Sequence, residues 1–157
     1  MNAIAGIAIA LGKALEPEFK TYAAQVLANA KALAHALLEA GCALVTGGTD
    51  NHMLVLDSIA SFGIDGRRAE RTLDEVVITT NKQVIPDDPN PPLRPSGIRI
   101  GTPAATTRGM REREMARLGE WIVAALRSAD DSPALAAIRS EVEALCEGFP
   151  VPGIDAA

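Results

Sequence analysis

The sharpest local pattern in the chain is Ser96-Gly97-Ile98-Arg99-Ile100-Gly101. It is a short β run bracketed by glycines. In an extended chain successive side chains alternate between two faces, so Ile98 and Ile100 point one way and Arg99 the other. Just upstream, residues 86–95 hold five prolines, Pro86, Pro89, Pro91, Pro92 and Pro95. That density excludes a regular helix or a central strand and predicts a stiff, ordered loop.

Working outward, Val77–Thr80 reads as another β run. Asp65 can cap a helix running to about Val76, with Ala69, Leu73 and Val76 inward. His52–Ser58 and Cys42–Thr46 read as two strands around the turn Gly47-Gly48-Thr49-Asp50, which predicts an antiparallel pair. Downstream, 102–109 reads as a polar loop. Two helices then close the chain. The first spans about Arg111 to Ser128 with Met115, Leu118, Ile122, Val123 and Leu126 on one side. The second starts at the cap Ser132 with Pro133 behind it, and carries Leu135, Ile138, Val142 and Leu145.

Glu16-Pro17-Glu18 starts a long helix in which Phe19, Tyr22, Val26, Leu27, Ala30, Leu33, Ala34, Leu37 and Leu38 recur at helical spacing, and Gly41 ends it as a left-handed cap. Residues 2–14 predict a further helix with almost no polar face, which should be buried against something. The sum is α+β: a small, mostly antiparallel sheet covered by helices, with a long lead-in helix. Residues 1–40 are expected to be a helical end and connecting helix, and 41–157 a compact domain.

The chain has 157 residues, a formal net charge of −5 and a pI near 5.0. That balance argues against a general nucleic-acid binder, which needs a basic face to neutralise phosphates. Aromatic residues are only 3%, so the core must be aliphatic. Cys42 and Cys146 form no C-x-x-C pair and read as buried thiols of a reducing compartment. His35 and His52 lie in different elements, and no metal-ligand spacing is present. The first apolar run lacks a preceding Lys or Arg and is too short to span a bilayer, so a cytoplasmic location is the default.

Arg99 is the sharpest local candidate for chemistry. A guanidinium between small neighbours can grip a carboxylate with two parallel hydrogen bonds. A solvated arginine or a structural ion pair is the alternative reading of the same pattern. The Gly47–Asn51 turn could cradle a phosphate through backbone N–H groups. It fits neither the P-loop nor the dinucleotide pattern and reads as a hairpin turn. Asp87 and Asp88 are adjacent carboxylates of the kind that usually form turns rather than acid–base pairs. Lys82 reads as a solvated lysine.

Several motifs together resemble serine hydroxymethyltransferase. They are Leu15 to Val26 with Asn29-Ala30-Lys31, Gly47 to His52, Thr80-Asn81-Lys82 with Ile85 to Pro89, Ser96 to Ala104, Thr106 to Gly109, and Leu145-Cys146 with Phe149-Pro150. They run in the family's order over almost the whole chain. The resemblance is to the last stretch of the large domain plus the C-terminal small domain of a pyridoxal phosphate enzyme of the aspartate aminotransferase fold type. Such enzymes interconvert serine and glycine with tetrahydrofolate and assemble as dimers or tetramers.

By that resemblance Arg99 binds the substrate carboxylate, and Gln83 stands where a family asparagine contacts folate, one methylene longer. The resemblance also implies a cofactor lysine in an upstream Thr-Thr-Thr-His-Lys run. The lysines present are Lys13, Lys20, Lys31 and Lys82, none in that context. No catalytic residue and no covalently bound cofactor are therefore expected on this chain alone. An upstream half of the enzyme, or self-association, is expected as partner. A non-catalytic binding or regulatory module built on the same fold is the other reading.

Overall fold

The computed structural model describes residues 1–153; the last four residues of the expected 41–157 domain lie outside it. Helix α1 spans Asn2–Ala14 and α2 Pro17–Glu39. Strand β1 (Met53–Asp57) runs into the short α3 (Ser58–Phe62), and α4 covers Gly66–Glu75. Strands β2 (Asn81–Gln83) and β3 (Gly97–Gly101) follow. Helices α5 (Pro103–Thr107), α6 (Glu112–Arg127) and α7 (Ser132–Glu147) complete the described chain. The architecture is α+β, with one three-stranded antiparallel sheet in the order β1-β3-β2.

The core forms where the aliphatic pattern demanded it. Leu54 and Leu56 of β1 and Ile98 and Ile100 of β3 point to one face and are buried. Against them lie Ala69 and Leu73 of α4, with Leu33 and Leu37 of α2 and Met115 and Ile122 of α6 in the same cluster. Phe19, Leu27 and Leu38, predicted inward on α2, remain exposed, whereas Asn29 is fully buried. Leu145 is only partly buried.

Asp65 caps α4 as expected, its Oδ1 accepting from the Arg68 N–H at 2.8 Å. Gly41, at φ 82°, terminates α2 with the Cys42 N–H donating back to the Leu37 carbonyl. The α4 backbone meets the sheet at Gly66, where a Cβ would lie 2.1 Å from the Gly97 carbonyl oxygen. Only glycine admits that approach.

Five expectations need correction. Cys42–Thr46 is not a strand; it contributes a single bridge, Leu44 to Leu56, beside β1. β1 stops at Asp57, whose side chain caps α3 by accepting from the Ala60 N–H, so Ser58 is helical. The β run at 77–80 shifts to 81–83. Val77 adopts φ 55° at the end of α4, and the Val77 and Ile78 N–H groups donate back to the Asp74 and Leu73 carbonyls, so these residues close the helix instead of entering the sheet. Residues 103–107 of the expected loop are helix, with Pro103 at its start, where a missing N–H costs nothing. The cap of α7 is Asp131, accepting from the Ala134 N–H, one residue before the predicted Ser132.

Helix α1 has no buried residue, and Ile4, Ile7, Ile9 and Leu11 are all exposed. Among the described residues no helix is long and apolar enough to cross a membrane.

Candidate functional site

The sheet has a covered face and an open one. Register places Val55, Arg99 and Asn81 in one row across the open face. Arg99 stands on the central strand, exposed, with the diagonal positions Met53, Asp57 and Gln83 around it. Its Nη2 donates to Asn81 Oδ1 at 3.4 Å, a long and weak bond. Among the described residues no carboxylate pairs with it, although six other ion pairs in the protein use Arg or Lys.

A neutral amide beside a guanidinium can orient it without cancelling its charge, whereas a carboxylate would compete with any anionic ligand. The two glycines flanking Arg99 differ. At Gly97 a Cβ would meet Ile85 Cγ2 at 2.7 Å, so the proline-rich loop has taken that space. At Gly101 the nearest atom to such a Cβ is the His52 carbonyl oxygen at 3.6 Å, which leaves ordinary room.

The loop that closes over Gly97 is held by Asp88. Its carboxylate accepts from the Ser96 N–H at 2.9 Å and hydroxyl at 2.7 Å, and from the Asn90 and Ile85 N–H groups at 3.0 and 3.2 Å. These bonds, led by the Ser96 N–H, hold the Asp88 carboxyl down at about 2. Asp88 is thus a clamp on the start of β3. Asp87, with φ 54°, shapes the turn beside it.

The far end of β3 is held from α2. Thr102 Oγ1 donates to the Val26 carbonyl at 3.0 Å, and Asn29 Nδ2 donates to Thr106 Oγ1 at 2.8 Å and the Met110 carbonyl at 2.9 Å. Gln25 Nε2 donates to Asn29 Oδ1 at 3.0 Å. A buried amide with its partners satisfied fixes position, because any other arrangement strands a polar group. Nothing in the apolar periodicity of α2 pointed to Asn29; its sign was an asparagine on the buried stripe between Val26 and Ala30 and Leu33.

Gln83 lies on the same open face, paired with Gly97, and its Nε2 donates to its neighbour's carbonyl at Val84. Lys82 points to the other side and pairs with Glu70 of α4, Nζ to Oε2 3.2 Å. The Gly47–Asn51 turn borders the open face beside Met53 and Val55, the cross-strand neighbours of Arg99. It lines a cavity of about 530 Å³ with Met53 and Val55, and its loop is tied internally by Thr46 Oγ1 to the Gly48 carbonyl and by the Met53 N–H to Asn51 Oδ1. Cys42 is buried, which pushes its thiol up, and Cys146 is half-buried; both are free. His35 sits on the surface of α2 beside Glu39.

Pyridoxal phosphate, which the motifs imply, needs an amine at the reacting centre. Lys13, Lys20, Lys31 and Lys82 are all exposed, and Lys82, the only one within the sheet, faces away from Arg99. These residues do not by themselves fit that cofactor. What the open face offers is an uncompensated guanidinium on a rigid strand, suited to binding a carboxylate.

A family model described as serine hydroxymethyltransferase matches residues 1–122. A serine hydroxymethyltransferase of Myxococcus xanthus (strain DK1622) is 52% identical over 151 residues, covering 96% of this chain and 36% of that protein. One from Koribacter versatilis (strain Ellin345) is 48% identical, covering 96% and 35%. One from Halorhodospira halophila (strain DSM 244 / SL1) is 46% identical over 153 residues, covering 98% and 36%. The chain spans about a third of the length of these curated relatives.

Proposed function

The chain belongs to the serine hydroxymethyltransferase family, and from that premise we propose that it acts as the C-terminal part of such an enzyme, supplying the arginine that binds the amino-acid substrate. The observation that carries this reading is Arg99, exposed on the open sheet face with no carboxylate partner among the described residues. In this reading the substrate carboxylate accepts two parallel hydrogen bonds from the guanidinium. That fixes rotation about the bond between Cα and the carboxylate, and so decides which Cα substituent faces the reacting centre. Asn81 steers the guanidinium while leaving its charge available. Gln83, on the same face, stands toward tetrahydrofolate.

The remaining parts come from elsewhere. The upstream part of the enzyme brings pyridoxal phosphate and the lysine that holds it. α1, apolar on every side, docks against that upstream part together with the end of α2 that precedes Val26. Residues 41–157 then form the small domain of an aspartate aminotransferase-type fold, in a cytoplasmic enzyme that works as a dimer. The 157 residues alone are inactive.

A chimera tests this. The last third of the Myxococcus xanthus relative is replaced by this chain, and serine-to-glycine conversion with tetrahydrofolate is followed beside the 157-residue chain alone. The expected result is turnover by the chimera and none by the chain. A folded chimera without turnover, or serine cleavage by the isolated chain, would overturn the reading.

A further inference from the structure

At the N-terminal end of α4, away from the open face, Arg67, Arg68, Arg71 and Arg94 line an open cavity of about 300 Å³ with Asp65 as its one carboxylate. The chain carries net charge −5, so a pocket with four guanidinium groups runs against its average. Local rules make the concentration costly. Arg67 and Arg68 occupy the first turn of α4, which holds no acidic residue, although the positive end of the helix dipole disfavours cations there. Arg67 and Arg71 are four residues apart, the spacing at which like charges face each other.

The nearby carboxylates pair with Arg94 and Arg68 and leave Arg67 and Arg71 without an ion pair. Asp65 is engaged by Arg94, Nη2 to Oδ2 2.8 Å, and by the Arg68 N–H at 2.8 Å. Glu70 is bonded to Lys82 and feels Arg67 only through space, with no ion pair between them. Arg68 reaches across to Asp130 Oδ1 and the Ala129 carbonyl, both at 2.6 Å. Asp74 and Glu75 stand at the spacings that would pair with Arg71, and neither does. Among the described residues Arg67 and Arg71 have no ion-pair partner, and both face the cavity.

We propose that the cavity formed by Arg67, Arg68, Arg71 and Arg94 is a binding site for a small oligoanion, held by Arg67 and Arg71 while Arg94 and Arg68 stay anchored by Asp65 and Asp130. Charge that is unfavourable when the site is empty becomes favourable when an anion bridges the two free guanidinium groups. Their planar forks take carboxylate and phosphate oxygens alike, so the ligand chemistry is a multivalent anion of either kind. The site does not depend on Arg99 or on the reaction.

Calorimetric titration of the 157-residue chain with tripolyphosphate and, separately, with citrate tests the site at low ionic strength, where Coulombic attraction is least screened. One-to-one saturable binding is expected for at least one probe. It should weaken about tenfold or more in Arg67→Ala/Arg71→Ala and stay unchanged in Arg111→Ala/Arg113→Ala. A tighter tripolyphosphate arm assigns the site to phosphates, and an equal or tighter citrate arm to carboxylates. Absence of saturation with both probes, equal affinity in the Arg67/Arg71 variant, or an equal loss in the Arg111/Arg113 variant overturns the proposal. All four positions are exposed, so both variants keep the fold, which a circular-dichroism melt verifies.

Discussion

The two faces of the sheet differ in what holds them. The covered face carries Leu54, Leu56, Ile98 and Ile100, closed by α4 and by the α2–α6 pair. The open face carries Val55, Asn81 and Arg99, and its order comes from hydrogen bonds at the strand ends rather than from packing above it. Asp88 clamps the entry to β3, and the Thr102–Asn29 network clamps its exit. Hydrophobic burial thus sets the stability of the domain, while a few polar bonds set the position of the strand that carries Arg99. The open face can stay polar and accessible because the face behind it is dry.

That division gives stability predictions of decreasing size. Leu56→Ala, at a fully buried position, should destabilise the chain by about 3 kcal/mol, while Val55→Ala, one residue away on the open face, should cost under about 1 kcal/mol. Urea denaturation of both variants checks this, and equal losses would erase the distinction between the faces. Asn29→Ala should cost about 2 kcal/mol in the same assay, because it leaves Thr106 and the Met110 carbonyl short of a donor inside the core.

Val77→Gly should stabilise by about 1 kcal/mol. The φ of 55° is strained for a β-branched residue, and Val77 is 40% exposed, so little burial is lost. A raised denaturation midpoint is the expected sign.

The smallest effect is on the acid limb. Asp88 titrates at about 2 in the folded protein, below the ordinary carboxylate value near ~3.9. Its contribution is therefore fully present above about pH 4 and is lost as pH falls toward 2. Asp88→Asn should flatten stability against pH across that window and leave the slope above it unchanged.

Much of this was legible in the sequence, and the reasons are specific. Alternation at Ile98-Arg99-Ile100 needs no tertiary knowledge to read, nor does the Pro17–Gly41 helix, whose start, stripe and cap are all local signals. The Cys42–Thr46 strand failed because its apolar residues serve the core through a single bridge. β2 slipped three to four residues because the apolar residues Val77 and Ile78 are spent on closing α4, their N–H groups bonded back to its last carbonyls. The capping power of Asp57 and Asp131 was hidden behind better-looking neighbours. At the site, Arg99 stood out through its glycine-bracketed strand. Asn81 and Asn29 did not, because a positioning amide has no periodicity of its own. The Arg67–Arg71–Arg94 cavity was invisible because residues 67 and 94 meet only when the proline-rich loop folds back on α4.

The chimeric enzyme carrying Arg99→Ala tests the central claim most directly, with Arg99→Lys and Asn81→Asp as companions. Loss of the clamp should lower kcat/KM for serine by about a thousandfold, since the carboxylate is then neither bound nor oriented. Lysine, a point charge without the planar fork, should restore only part of it. Asn81→Asp, which gives the guanidinium an internal partner, should raise KM for serine about tenfold. Serine cleavage undiminished by Arg99→Ala would contradict the account.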